Sequence, residues 1–276
     1  MKWSALLLQL CLSGAAVAAN TNAVQGCQDK SLPPFPPTAR ELLVVIDQTT
    51  PLSPALQQLV ANNIKPFLAP GNRFSVVVFS AYTQGHYTEL LTAGTLDAEL
   101  PGEARNDIAK PALTKLDLCL QRQPQQAAQA AGQALRTAYQ GTSSNIAKSD
   151  IFASLKSIAS VIKQSTAQDK VVLIVSDMLE NSSVSNFYAE QGKSVRNVVP
   201  AKEIRAVEDN HLLADFGGAR TYVIGAGLLA DDAVHSKNYR DPKTMQSLNA
   251  FWSEYFSKSN AKLLEFGQPA LLNPVR

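Results

Sequence analysis

Two apolar segments of the chain end in acidic residues. Residues 42–46 are followed by Asp47, and residues 171–175 are followed by a serine and then by Asp177. If both segments are neighbouring strands of a parallel sheet, the two carboxylates lie at the same edge of that sheet, which is where open α/β proteins bind ligands. Two carboxylates that converge there are suited to binding a cation.

Two hydroxyl-bearing residues extend this set. Thr49 lies two residues after Asp47, so its hydroxyl can return to the same edge, and Ser149 stands at the start of a helical segment. Mg²⁺ takes about six oxygen ligands and often keeps several waters, and Mn²⁺ accepts the same donors. Asp47, Thr49, Ser149 and Asp177 therefore predict a metal site for Mg²⁺ or Mn²⁺. A simpler interpretation gives them local roles, in which Asp47 caps a first helix turn and Ser149 or Asp150 caps the following helix.

The surrounding segments alternate between strands and amphipathic helices. Continuous runs of apolar, β-branched residues are typical of strands buried on both faces, and apolar residues at helical spacing are typical of the helices that cover them. The predicted strands are residues 42–46, 73–80, 86–91, 171–175, 221–224 and 262–266, and the predicted helices are residues 54–67, 125–139, 150–162, 201–213 and 245–256. This order predicts an α/β fold with a mostly parallel, doubly wound, Rossmann-like sheet and helices on both faces.

The length of the chain allows one large domain, which the pattern places at residues 41–266. A polar and then Pro-rich extension precedes it at residues 19–40, and residues 267–276 form a C-terminal tail. Prolines and turn residues interrupt the alternation over residues 97–145, which predicts an insertion there. Its helix is expected to begin only after Pro124.

The first residues have the features of a secretory signal. Lys2 gives a positive start, a short apolar run follows, and Ala16 and Ala18 supply the small residues of a cleavage site. Residues 1–18 are therefore predicted to be a signal peptide, which would place the mature protein in the periplasm or outside the cell. The apolar run is far shorter than the roughly 20 residues of a membrane span, so no membrane span is predicted. An uncleaved N-terminal anchor is the alternative interpretation.

Removal of this segment would take Cys11 with it and leave two cysteines, Cys27 and Cys119. An even pair in an oxidising compartment predicts a disulfide bond, which would tie the N-terminal extension to a later segment. Two separate buried thiols are the alternative. Neither cysteine belongs to a zinc-binding spacing.

The charge balance argues against one class of partner. The formal net charge is only +2, and charged residues make up 17% of the chain. A chain of this kind has no general electrostatic attraction to a polyphosphate backbone. Nucleic acid is therefore not an expected partner.

The motifs resemble the von Willebrand factor A-type domain. That family carries a metal-ion-dependent adhesion site, in which Asp-x-Ser-x-Ser follows the first strand, a Thr lies on a later loop and an Asp follows the fourth strand. Asp47 and Thr49 fall on the first of these motifs, residues 149–155 are similar to the later loop with its helix, and residues 172–177 are similar to the fourth strand. The likeness covers most of residues 41–266.

The resemblance implies both a site and a function. Thr49 and Ser149 would coordinate an ion directly, whereas Asp47 and Asp177 would hold it directly or through water. An acidic side chain of a partner would complete the coordination. Pro51 stands where the family has its second hydroxyl ligand, so the adhesion site is degenerate and needs another oxygen donor. The implied protein is a secreted or periplasmic protein-binding module and not an enzyme.

Two other functions stay open. A strand that ends in Asp47, another that ends in Ser176, and the pair Asp231 and Asp232 are also similar to features of haloacid-dehalogenase-type phosphatases, which act as metal-dependent phosphoester hydrolases. That family has a second Asp where this chain has Thr49, so the usual general acid is missing. The other alternative is a metal-free structural component of an envelope assembly, which keeps the fold without the ion.

Overall fold

One six-stranded sheet forms the centre of the fold. The computed structural model of the chain describes residues 22–80, 88–142, 149–229 and 240–276. The predicted signal peptide lies outside the described residues, and so do Asp231 and Asp232.

The strands are β1 (Arg40–Asp47), β2 (Asn72–Phe79), β3 (Thr88–Thr95), β4 (Asp169–Val175), β5 (Tyr188–Ala189), β6 (Ser194–Val195), β7 (Arg220–Ile224) and β8 (Lys262–Phe266). Six of them form the large sheet in the order β3-β2-β1-β4-β7-β8, while β5 and β6 pair as a small hairpin. All neighbours in the large sheet are parallel except β2 and β3, which are antiparallel. The predicted α/β fold with a mostly parallel, Rossmann-like sheet is therefore confirmed, and the antiparallel strand β3 lies at one edge.

The helices are α1 (Pro54–Ile64), α2 (Gly102–Asn106), α3 (Lys110–Gln140), α4 (Ile151–Lys163), α5 (Pro200–Asp209) and α6 (Pro242–Lys258). Apolar side chains of α1 and α3 pack against one face of the sheet. Those of α4, α5 and α6 pack against the other face. None of the helices in the described residues is both long and apolar enough to cross a membrane.

Burial on both faces explains the continuous apolar run of β1. Leu43 and Val45 belong to the core under α4, α5 and α6, whereas Leu42, Val44 and Ile46 belong to the core under α1 and α3. Successive side chains of a strand point to opposite faces, so every position of this strand must be apolar until the strand leaves the sheet. After Glu41, the next polar side chain therefore appears only at the carboxyl end of the strand, at Asp47.

The helix α3 is longer than the helix that the sequence predicts within residues 97–145. It begins at Lys110 and contains Pro124 in its interior, although a proline removes one backbone N–H from the helical hydrogen bonds. Packing of small side chains against the sheet compensates for that loss. The buried alanines of its second half are Ala127, Ala131, Ala134 and Ala138. This half of α3 therefore packs on one face of the sheet. The predicted domain boundaries stay predictions.

The N-terminal extension lies against β3 and α3. Asn22 forms an isolated bridge with Ala93, and Val24 is buried beside it. Cys27 and Cys119 form the predicted disulfide bond, with their Cα atoms 5.8 Å apart, a usual separation for a disulfide. A small apolar cluster surrounds the bond and contains Leu100, Ile108, Leu116 and Leu120.

The disulfide bond should contribute strongly to stability. It joins residues 92 positions apart, and closing a loop of this length in the unfolded chain is worth about 4 kcal/mol in the chain-entropy description. The double variant Cys27→Ser/Cys119→Ser should therefore lose roughly 2–4 kcal/mol of unfolding free energy. Urea unfolding followed by circular dichroism measures this loss.

Reduced wild-type protein is the matched control, because it lacks the bond but keeps both side chains. It should unfold at the same urea concentration as the double variant. An oxidised wild type that is no more stable than either would contradict the prediction.

Candidate functional site

The carboxyl ends of β1 and β4 bring two acidic residues together. Ile46 lies opposite Val175 in the parallel register of these strands, and Asp47 and Asp177 follow at the same edge of the sheet. Both are buried, with 0% of Asp47 and 4% of Asp177 exposed. The predicted carboxylate pair therefore exists as a buried pair.

Asp47 is the centre of a hydrogen-bond network. Its Oδ1 accepts hydrogen bonds from the backbone N–H of Thr49 at 2.8 Å and from the Thr49 hydroxyl at 2.6 Å. Its Oδ2 accepts one from the Ser176 hydroxyl at 2.8 Å and a longer one from the Ser149 hydroxyl at 3.4 Å. Thr49 and Ser149, both predicted from the sequence, thus meet at Asp47.

Asp177 is held by a different set of donors. Its Oδ1 accepts a hydrogen bond from the backbone N–H of Leu179 at 2.8 Å, and its Oδ2 accepts one from the Tyr188 hydroxyl at 2.6 Å. The backbone N–H of Asp177 donates to the Thr50 hydroxyl at 3.1 Å. The loop after β1 is therefore joined to the loop after β4 by this hydrogen bond as well as by the one between Ser176 and Asp47.

The two carboxylates also interact electrostatically. Burial, and next the charge of Asp47, raise the pKa of Asp177 to about 8. Burial likewise raises the pKa of Asp47. None of the ion pairs within the described residues gives either carboxylate a lysine or arginine partner. Two buried negative charges without a counter-charge are costly, so the site favours a proton or a cation.

Glu180 places Ser149 against Asp47. Its side chain is 0% exposed, and its Oε2 accepts hydrogen bonds from the backbone N–H groups of Ile151 at 2.8 Å and Phe152 at 3.1 Å, at the start of α4. The backbone N–H of Asn181 also donates to the carbonyl of Ser149 at 2.8 Å. The loop after β4 therefore holds the segment that carries Ser149.

Of the local roles offered as an alternative, the structure confirms the one assigned to Asp150. Asp150 caps α4, since its side chain accepts a hydrogen bond from the N–H of Ala153 at 3.1 Å. Ser53 caps α1, since its hydroxyl accepts one from the N–H of Leu56 at 3.4 Å. The side chains of Asp47 and Ser149 are thus directed to the edge of the sheet and not to a helix end.

The helix α6 anchors the loop after β4 from the side. The indole Nε1–H of Trp252 donates to the carbonyl of Met178 at 2.9 Å, and Met178 adopts a left-handed backbone conformation with φ of 58°. Gly225 and Gly227, after β7, pass close to the same loop. A Cβ at Gly225 would lie 2.9 Å from the Ser176 carbonyl oxygen, so this crossing requires glycine.

The small hairpin of β5 and β6 carries Tyr188. Next to Tyr188, Phe187 is buried among aromatic side chains of α4 and α6. Arg196 donates to the buried carboxylate of Glu203 in α5 at 2.8 Å and lies over the ring of Phe187. The Ser185 hydroxyl also donates to Glu203, at 2.5 Å. These contacts fix the hairpin, and with it the Tyr188 hydroxyl, on the body of the fold.

The donor chemistry of the four predicted residues fits a hard cation. Thr49 and Ser149 donate their protons to Asp47, which leaves the lone pairs of both hydroxyl oxygens available. A carboxylate has about four acceptor positions, and the Asp177 side chain uses two of them. Pro51 offers no side-chain oxygen, and its position is exposed. Within the described residues, no group of three or more His, Cys, Asp or Glu side chains is placed to hold a metal, so hydroxyls would have to contribute.

Sequence reasoning missed three residues of this network. The sequence pattern identifies Ser176 only as a strand end, and it assigns no role to Glu180 or Tyr188. Glu180 lies three positions after Asp177, and such an acid beyond a strand end is a signal that could have been found. No local pattern identifies Tyr188, because the hairpin that carries it is positioned by tertiary contacts.

Comparisons with known proteins do not assign this chain to a family. No family model matches the chain, and no curated protein matches it. Among solved structures, it is similar to an aerotolerance-related membrane protein from Bacteroides fragilis NCTC 9343, which carries multiple mutations to serines. The sequence identity is 11%, the match covers 86% of this chain and 93% of that chain, and the TM-score is 0.34. A TM-score this low carries no argument about function.

The Tyr188 hydroxyl should stabilise the fold, because it satisfies a buried carboxylate. Tyr188→Phe removes that donor and should lower the unfolding free energy by roughly 1–3 kcal/mol. Tyr139→Phe is a matched control, because the Tyr139 hydroxyl is buried without a hydrogen-bond partner. Its removal relieves a buried donor without a partner and should be neutral or stabilising. Denaturant unfolding in the presence of chelator measures both, and equal losses would contradict the assigned role of Tyr188.

Glu180 should make stability depend on pH. Burial raises the pKa of Glu180 to about 8, against 4.5 for an ordinary glutamate. Between these values the unfolded chain binds fewer protons than the folded one, so the unfolding free energy falls as pH rises. Glu180→Gln does not titrate and should make this fall shallower by up to about 1.4 kcal/mol per pH unit.

Denaturant unfolding at several pH values between about 5 and about 8 tests this slope. Glu103→Gln, which changes an exposed acid in α2, should leave the slope of the wild type unchanged. A Glu180→Gln variant that follows the wild-type slope would show that Glu180 does not titrate in this range.

Proposed function

We propose that the chain is a secreted or periplasmic protein-binding module that uses the carboxyl-end edge of its sheet, with a divalent cation at Asp47, Thr49, Ser149 and Asp177. The observation that carries the proposal is the buried pair Asp47 and Asp177, which has no cationic partner in the described part of the chain. Mg²⁺ or Mn²⁺ would neutralise both charges at once. The resemblance to von Willebrand factor A-type domains supports the same location.

The hydroxyl groups define which residues would contact the ion. Thr49 and Ser149 would offer their oxygens, oriented by the hydrogen bonds that they donate to Asp47. Asp177 would offer the acceptor positions that Leu179 and Tyr188 leave free. When bound, the ion would present an open coordination position to a carboxylate of the partner.

The surroundings of this edge suit a protein partner. Uncharged polar residues follow the candidate ligands on the loops after β1 and β4, and Asn181 forms an isolated bridge with Ser149. These include Gln48, Asn181, Ser182, Ser183 and Asn186. Loops positioned by a rigid framework are frequent binding surfaces. The hairpin of β5 and β6, which the ion pair of Arg196 and Glu203 fixes, would border this binding surface on one side.

The disulfide bond supports the proposed compartment. Cys27 and Cys119 are bonded in the structure, and such bonds persist in oxidising environments such as the periplasm and the cell exterior. The signal-like residues 1–18 point in the same direction.

A metal-free binding or structural component is the second candidate, and one observation favours it. Each oxygen of Asp47 and Asp177 already accepts a hydrogen bond from the chain, so the site is partly satisfied by protein donors. A phosphoester hydrolase has less support. Asp47 is fully buried and engaged by its neighbours, whereas a nucleophile must reach its substrate.

Addition of Mg²⁺ or Mn²⁺ to chelator-treated protein should raise its melting temperature. A ligand that binds only the folded state adds about 2.7 kcal/mol at a hundredfold excess over its Kd, which corresponds to several degrees. Asp47→Asn and Thr49→Val keep side-chain volume but remove a charge or a hydroxyl, so both should abolish the metal-induced rise. Asp209→Asn, at an exposed position of α5, should retain it.

Capture from an envelope extract then separates the two candidates. A protein retained by the wild type, and lost both in chelator and with Thr49→Val, would support metal-dependent binding. Capture that persists in chelator but is lost with Asp177→Ala would support the metal-free candidate. Capture that none of these changes affects would overturn the assignment of this edge as the binding surface.

A further inference from the structure

A cavity opens beside the start of α6. Its volume is about 340 Å³, and it is lined by Arg240, Pro242, Met245, Gln246 and Gln268. None of these residues belongs to the candidate metal site. Its lining therefore combines the guanidinium of Arg240, two glutamine carboxamides, and the apolar side chains of Pro242 and Met245.

The guanidinium of Arg240 has no counter-charge among the residues that the structure describes. Its Nε is buried and has no hydrogen-bond partner, and no ion pair involves Arg240 within the described residues. The adjacent acid, Asp241, is engaged elsewhere, because its Oδ2 accepts hydrogen bonds from the backbone N–H and hydroxyl of Thr244. An arginine side chain stays protonated in proteins, and a buried donor without a partner is costly. The cavity therefore favours an anion.

Backbone geometry and packing hold Arg240 in this position. Its φ of 56° is in the left-handed region, which is uncommon for a residue with a side chain. It immediately precedes the Asp241 cap of α6. An ideal Cβ built at Gly227 would lie 3.8 Å from the Arg240 Nε and would collide with Met245. The absence of a side chain at Gly227 thus makes room for both residues.

The cavity adjoins the edge that carries the acidic pair. The backbone N–H of Gly227 donates to the carbonyl of Asp177 at 2.8 Å, so the glycine that makes room for Arg240 and Met245 is bonded to the loop after β4. Gln246 and Gln268 offer further amide donors beside Arg240, while Pro242 and Met245 offer apolar contact. A guanidinium with neighbouring amides matches the geometry of a carboxylate.

We propose that this cavity binds a carboxylate carried on a short apolar stem, either an acidic side chain or the C-terminal carboxylate of a peptide. Arg240 pairs with the carboxylate, Gln246 and Gln268 hydrogen-bond to it, and Met245 and Pro242 contact the stem. The site goes beyond the proposed function, because it uses neither a metal ion nor the Asp47 network.

Ligand-observed NMR titration of the disulfide-bonded mature chain tests this proposal with three probes. N-acetylglutamate α-amide presents a side-chain carboxylate, N-acetylleucine presents a C-terminal one, and N-acetylglutamine α-amide is the neutral match of the first. At least one carboxylate probe should bind, the neutral probe should not, and the tighter carboxylate probe identifies the source of the ligand.

Arg240→Gln should weaken binding of that probe by about tenfold or more. Lys243→Gln is the matched control, because it removes the same charge from an exposed position of α6 outside the cavity. Asp47→Asn should leave probe binding unchanged even if it abolishes the metal response, which separates the two proposals. Circular dichroism verifies that each variant is folded.

Three results would overturn the proposal. The first is that neither carboxylate probe binds at millimolar concentration. The second is equal binding of the glutamate and glutamine probes, which would exclude recognition of charge. The third is a folded Arg240→Gln variant that binds as well as the Lys243→Gln control.

Discussion

The burial of Asp47 at the end of β1 is the constraint on which the carboxyl-end edge depends. A carboxylate with no exposed surface must find hydrogen-bond donors within the fold. Thr49 supplies donors from its own loop, Ser176 from the loop after β4, and Ser149 from the segment before α4. Because these donors come from three separate segments, satisfying one side chain brings three loops together.

Packing on the α6 side complements this network. Trp252 bonds to the carbonyl of Met178, and the aromatic rings around Phe152 and Phe187 fill the space under the loop after β4. Hydrogen bonds determine where the polar atoms of the edge lie, whereas the apolar side chains of this loop, Met178 and Leu179, pack into the same core as the aromatic rings. Glu180 joins the two, since it is buried beside this core and holds the start of α4.

The two ends of the sheet differ in how their charges are compensated. At the amino end, Asp169 forms ion pairs with Arg40 and Arg220. Although burial opposes it, hydrogen bonds and the charges of these two arginines lower the pKa of Asp169. At the carboxyl end, the described residues provide no such cation for Asp47 or Asp177 and no anion for the guanidinium of Arg240. Uncompensated charges of both signs thus collect at the end where parallel sheets bind ligands.

The sequence by itself determined the sheet, its parallel strands and the convergence of Asp47, Thr49, Ser149 and Asp177. Strands buried on both faces must be continuously apolar, so their ends and the polar residues that follow are visible in the sequence. Only the tertiary structure decided which donors reach the carboxylates. Ser149 meets Asp47 across 102 positions, and Tyr188 reaches Asp177 across 11 through a hairpin that is held by α5 and α6. Such contacts depend on how separate elements pack, and no local spacing specifies that packing.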